Sequence, residues 1–189
     1  MIVFLDFEAS SLGKRSFPVE LGWVREDGRE ESHLIRPAPD WTEWSAEAEA
    51  IHRLTRERLE EEGEPHGEVA RRMLAELSGH ALYASAPSWD GQWLSRLLRA
   101  AGQPRHALRL RDTEEARRDA ALAAFTAAGV EPSRCDQLLA GILADIVQEQ
   151  REATPAHRAL EDAKSELRLW QEARRRAEEA ARGIGRRHA

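Results

Sequence analysis

Cysteine occurs once in the 189 residues, at Cys135. An internal disulfide is therefore excluded, and so is a zinc cage built from cysteine thiolates. Long apolar runs are missing too: nothing approaches the ~18 consecutive apolar residues of a transmembrane helix. Neither a basic segment nor a small-residue cleavage site precedes the first apolar run at Ile2. The expectation is a cytoplasmic chain with no signal peptide and no membrane contact. Lysine is confined to Lys14 and Lys164, which leaves 26 of the 28 basic residues as arginine. Arginine suits bidentate phosphate contacts, but so lopsided a ratio fits GC-rich codon usage better. The net charge of −6 argues against a protein that holds nucleic acid by bulk charge. It leaves room for an enzyme whose phosphate contacts run through bound metal.

Charged residues at 33% and hydrophobic ones at 41% suit a globular α/β or helical domain with a sizeable core. Strand-like runs stand at 2–7 (IVFLDF), 19–26 (VELGWVRE) and 30–36 (EESHLIR). Asp27-Gly28 between the second and third is a hairpin signal. A loop at 37–45 leads to short helices near 45–51 and 55–62. PHGEVARRMLAELS (65–78) is amphipathic, with Val69, Met73, Leu74 and Leu77 on one stripe. A fourth strand is expected at 80–86, then a helix ending at Gly102, a fifth strand at 107–112, and helices at about 113–128, 133–150 and 155–182. Thr154-Pro155 reads as the cap and first-turn proline of the last helix. This order predicts a mixed sheet with helices on its faces: one domain over 1–182 and a disordered tail from 183.

The chemistry starts in LDFEAS. Asp6 and Glu8 are two apart at the end of an apolar strand, so both face the same side of the sheet. Two acids held together cost repulsion and desolvation unless a cation lies between them. Asp90, near the start of the helix after the fourth strand, and Asp162, early in the last helix, could add ligands. His157 stands five residues before Asp162 and is a candidate proton acceptor. Each feature alone has a plain alternative. D-x-E pairs are common on surfaces, Asp90 suits a helix N-terminus, and Glu161 could replace Asp162. It is their joint occurrence, in order, that points to metal-dependent phosphodiester chemistry.

FLDFEASSLG, LYASAPSWDGQWL and HRALEDA together resemble the three motifs of the DEDDh-type 3′→5′ exonucleases. These form the DnaQ-like superfamily of proofreading subunits, RNase T-like enzymes and oligoribonuclease. EAIHRLTRERL (49–59) resembles the A-x-x-x-H-G-I-T segment that meets the terminal nucleotide in that family. The resemblance implies a ribonuclease H-like fold with a five-stranded mixed sheet between helices. It implies that Asp6, Glu8, Asp90 and Asp162 bind two Mg²⁺ or Mn²⁺ and that His157 is the general base. The implied partner is the 3′ end of single-stranded RNA or DNA, the product a nucleoside 5′-monophosphate, and the assembly a homodimer. Ser10, Ser11, His52 and Leu54 are the implied substrate contacts.

The chain departs from the pattern in places. It contains no asparagine, so Ser85-Ala86 stand where relatives carry His-Asn, and Arg53-Leu54 replace Gly-Ile. A binding module without turnover and an accessory subunit of a polymerase are the competing readings. Trp41 and Trp44 are expected to cover a hydrophobic edge more than to stack bases, and Trp89 and Trp93 to pack in the core. His52 either meets the nucleotide or caps a helix. The run Arg174-Arg175-Arg176 reads as a solvated helix face.

Overall fold

The computed structural model describes residues 1–152, 154 and 156–185. Six strands form one mixed sheet in the order β4-β3-β2-β1-β5-β6. They are β1 (Ile2–Ala9), β2 (Pro18–Arg25), β3 (Glu30–Arg36), β4 (Glu64–Pro65), β5 (Ala81–Ala84) and β6 (Leu110–Asp112). β1–β2 and β2–β3 are antiparallel, while β5 pairs parallel with β1 and β6 parallel with β5. The five expected strands are all present. The sixth is the two-residue β4, which pairs parallel with the edge of β3 and is too short to leave a periodic signal. β6 begins at Leu110, three residues later than the sequence suggested. The Asp27-Gly28 hairpin forms as expected: Gly28 takes φ +87°, and Arg29 N–H donates to Asp27 Oδ1 at 3.1 Å.

The helices are α1 (Ala46–His52), α2 (Arg56–Glu62), α3 (His66–Leu77), α4 (Pro87–Ala100), α5 (Thr113–Ala127), α6 (Pro132–Glu152) and α7 (Ala159–Gly185). α7 starts four residues after the expected Pro155, which lies outside the described residues, and it runs past 182 to Gly185. Residues 186–189 of the expected tail are likewise outside them.

β1 has apolar residues on both faces and divides them between two cores. Val3, Leu5, Phe7 and Ala9 point to the face covered by α3 and α4, where Met73, Leu77, Leu94 and Leu98 are buried with them. Phe4 points to the other face, against Tyr83, Ala163, Leu167 and Trp170. Further along α7, Ala173, Ala177 and Ala181 are spaced at i, i+4, and their small side chains admit Phe125 of α5 and Ile142 and Ile146 of α6. Asp6 and Glu8 share the face of Phe4. On that face the apolar surface of β1 turns acidic at the end of the strand, beneath the first turn of α7.

Candidate active site

α7 reaches the acids because β2 presents no side chain in its way. Gly22 pairs with Asp6 across the β1–β2 ladder, and a Cβ placed there would lie 2.2 Å from Leu160 N. The first turn of α7 thus rests on bare backbone beside Asp6. One ladder position along, Glu20 pairs with Glu8. Glu20 is 1% exposed and is neutralised by the entry to α7. Arg158 Nη2 donates to its Oε1 at 2.6 Å, and Ala159 N–H donates to its Oε2 at 3.1 Å. Asp162 holds the same loop from the other side, its Oδ1 accepting from Ala156 N–H at 3.1 Å. Between these anchors His157 adopts a left-handed backbone, φ +52°, a conformation found in few non-glycine residues.

The outcome is a convergence of two sequence-distant segments. Ligand-capable atoms of Glu8, His157 and Asp162 all lie within 4.8 Å of one another. His157 precedes α7 instead of sitting in its first turn, so the unfavourable i, i+5 spacing does not apply. Asp90 enters from the first turn of α4. It is 1% exposed, and one carboxylate oxygen accepts from Ala86 N–H at 3.3 Å. Asp6 is half-buried between the two groups of acids and feels Asp90, Glu8 and Asp162 together.

Burial and like charge show in the proton affinities. Asp6 is raised well above the usual carboxylate range, by burial first and then by Asp90, Glu8 and Asp162. Glu8 is pushed up to about 7 by burial and the charges of Asp162 and Glu20, against the opposing pull of Arg158. Asp90 rises to about 7 through burial, although backbone hydrogen bonds at the start of α4 pull the other way. The site is thus deficient in positive charge.

Two neighbours of the acids were invisible to sequence reasoning. Arg158 with Glu20 is one; the signal lies in strand register, which fixes Glu20 opposite Glu8. Glu166, one turn beyond Asp162 on α7, is the other. It is 7% exposed and raised by burial against the nearby Arg117. Glu166 shares with Asp6 and Asp162 the wall of a hollow of about 360 Å³. A second hollow, of about 710 Å³, lies at the amino-terminal end of β1, lined by alanines of α5 and by Trp170. It holds none of the four acids.

The expected substrate contacts separate. Ser10 is buried, and its hydroxyl accepts from Phe17 N–H at 3.1 Å. Leu54 is 0% exposed and belongs to the main core. Neither presents a free surface to a nucleotide, because each fixes a turn from inside. Ser11 donates to Glu43 and accepts from Gly13 N–H, holding the β1–β2 loop in shape. His52 ends α1, its Nδ1 accepting from Leu54 N–H at 3.0 Å, and burial lowers its proton affinity. Trp41 is buried and stacks on Phe17 at 5.2 Å, covering an edge as expected. Trp93 is in the core, but Trp89 is not. It is 37% exposed beside Asp90 and stacks on Trp93 at 5.9 Å. The position just before Asp90 faces outward while the aspartate turns in. Arg174, Arg175 and Arg176 form ion pairs with Glu178, Glu179 and Glu172, the solvated face expected.

No protein family matches this chain, and no curated protein does. Solved structures of exonuclease I do. E. coli exonuclease I in complex with a dT13 oligonucleotide aligns over 62% of this chain, at 16% identity and a TM-score of 0.53, over 29% of its own length. Exonuclease I from Methylocaldum szegediense aligns over 62% at 19% identity and a TM-score of 0.52, over 28% of its length. An apo exonuclease I aligns over 66% at 17% identity and a TM-score of 0.53, over 31% of its length. This chain therefore spans less than a third of those proteins. The likeness establishes the fold, a ribonuclease H-like sheet flanked by helices.

Proposed function

We propose that this protein is a metal-dependent 3′→5′ exonuclease of the DEDDh type, releasing nucleoside 5′-monophosphates from the 3′ end of single-stranded RNA or DNA. The reading rests on the meeting of Glu8, His157 and Asp162 beside the half-buried Asp6 and the buried Asp90. A fold that needed these acids only for solubility would leave them apart and solvated. The donor set fits hard divalent cations such as Mg²⁺ or Mn²⁺: carboxylate oxygens with one imidazole and no thiolate. The raised proton affinities of Glu8 and Asp90 say the same in energetic terms, since the ionised cluster lacks a counter-charge.

Bound among the acids, a pair of such cations supplies neutralisation of a phosphodiester and acidification of a water. The chain's residues supply the rest. Asp6, Glu8, Asp90 and Asp162 hold the charge in place, and a ring nitrogen of His157 takes the proton of the attacking water. Arg158, locked onto Glu20, holds the turn in which a His157 ring nitrogen lies within 4.8 Å of Glu8. Trp89 offers an exposed aromatic face beside Asp90 on which a base can stack. Chromatography of the products from an unlabelled oligonucleotide tests the reading. Nucleoside 5′-monophosphates should accumulate with Mn²⁺ and vanish with EDTA; nucleoside 3′-monophosphates, or no products, would refute it.

A further inference from the structure

The charged side chains that line the hollow beside the site are Asp6, Glu149, Asp162, Glu166 and Arg168. Two of the acids already have a counter-charge. Glu149 meets Arg176 Nη2 at 2.6 Å, and Glu166 faces Arg117 Nη2 at 3.5 Å. Asp6 and Asp162 belong to the metal-binding set proposed above. Arg168 is left over. It is exposed, and its one hydrogen bond among the described residues runs from Nη2 to Ser165 Oγ at 2.6 Å. No carboxylate pairs with it there. By contrast Arg174, Arg175 and Arg176, further along the same helix, each close on a glutamate. Ser165 is itself tied to α7, its hydroxyl donating to the Glu161 carbonyl at 3.1 Å. The guanidinium is thus held on the helix at the rim of the hollow, with four of its five N–H groups unused.

We propose that Arg168 binds a backbone phosphate of the substrate strand, one position upstream of the phosphate that is cut. This rests on the exonuclease reading of the site. An arginine fork matches the oxygens of a phosphodiester, and the Ser165 anchor lowers the entropy cost of ordering it. On that reading the phosphate being cut is held at Asp162 and its neighbours. Ser165 lies three residues beyond Asp162, about 4.5 Å along the helix at ~1.5 Å per residue, so a phosphate at Arg168 is a second one. A strand ending in a 3′-hydroxyl carries no phosphate beyond the scissile one, and the second must therefore lie on its 5′ side. The hollow of about 360 Å³ that both residues line leaves room for the chain between the two phosphates. The site thus favours strands of three or more nucleotides over a dinucleotide, whose only phosphate is the scissile one.

Two measurements on the full chain test this. The first is fluorescence anisotropy in EDTA, across a range of salt, with 5′-fluorescein-labelled pentathymidylate and pentauridylate. Losing one phosphate contact on a single strand flattens the slope of log affinity against log salt by about 0.7. Arg168→Gln should show that change, and Arg168→Lys, which keeps the charge, should not. Arg174→Gln, at an arginine that pairs with Glu178, should follow wild type. The second is kcat/KM with Mn²⁺ on a trinucleotide and on a dinucleotide with a 5′-hydroxyl. Arg168→Gln should lower it roughly 10- to 100-fold on the trinucleotide, the usual effect of losing a hydrogen bond to a charged group. On the dinucleotide it should match wild type. A slope equal to that of Arg174→Gln, equal losses on both substrates, or wild type that binds neither strand overturns the assignment. Wild type that binds but cuts neither substrate refutes the exonuclease reading instead, while the salt slope still decides the contact.

Discussion

Arg158 closes on Glu20 through both carboxylate oxygens, and the backbone N–H of the next residue completes the grip. Glu20 is opposite Glu8 in the β1–β2 ladder, so this pair fixes the turn carrying His157 at the acid it must face. Arg158 is half exposed while Glu20 is buried, and the contact therefore does more for position than for net stability.

Arg158→Ala should reduce turnover by about 10²-fold, the usual effect of ~1 Å of misplacement. It should cost stability only about 1–3 kcal/mol, from a buried carboxylate left with one donor. Single-turnover rates and urea melts measure the two effects separately. Wild-type turnover in this variant would deny Arg158 its positioning role.

His157→Ala should slow cleavage by about 10²–10⁴-fold, the contribution of a positioned general base, while Mn²⁺ still binds through the four carboxylates. A variant as fast as wild type would remove His157 from the proton transfer.

On the proposed function, metal and proton would compete for the same oxygens. Glu8 and Asp90 titrate near pH 7 in the fold, against ~4 for unperturbed carboxyls. A raised carboxyl favours the folded state below its unfolded pKa, and that advantage is lost as pH rises toward the folded value. Metal-free protein should therefore lose stability between about pH 4 and pH 7. Mn²⁺ binds the ionised forms, so its effect on the melting temperature should be small at pH 5 and large at pH 8. Melts in EDTA and in Mn²⁺ across that range decide it; equal stabilisation at both ends would contradict the cluster's electrostatics.

Trp89→Ala should raise KM for single-stranded substrate by roughly 5- to 150-fold, the equivalent of ~1–3 kcal/mol of base stacking, with little change in kcat. Trp93, beneath it, should instead reduce stability when truncated, because it is buried and its Nε1–H donates to Ser16 Oγ at 2.9 Å. An unchanged KM would make Trp89 a bystander.

Much of this architecture was legible in the chain. The apolar run of β1, the Asp27-Gly28 turn and the stripe of α3 are local patterns, and the structure follows them. Asp6, Glu8, Asp90, Asp162 and His157 were nameable as candidates because they stand at element ends, in the order of the three motifs that the chain resembles. Glu20, Arg158 and Glu166 were not, because their placement depends on ladder register and on how α7 packs against β2, α5 and α6. Ser10 and Leu54 sit where a likeness would place contacts, but burial points them inward. Trp89 failed for a related reason. An i, i+4 pair with Trp93 suggests one buried stripe, yet the helix start leaves its first aromatic at the rim.

Cleavage of a 5′-labelled single strand by wild type and by Asp6→Ala, in Mg²⁺, Mn²⁺ or EDTA, tests the central claim most directly. Wild type with metal should give a ladder shortening from the 3′ end, faster on either RNA or DNA, and Asp6→Ala and EDTA should give none. A full-length label retained on a shifted band with wild type would mean that the fold binds nucleic acid without cutting it.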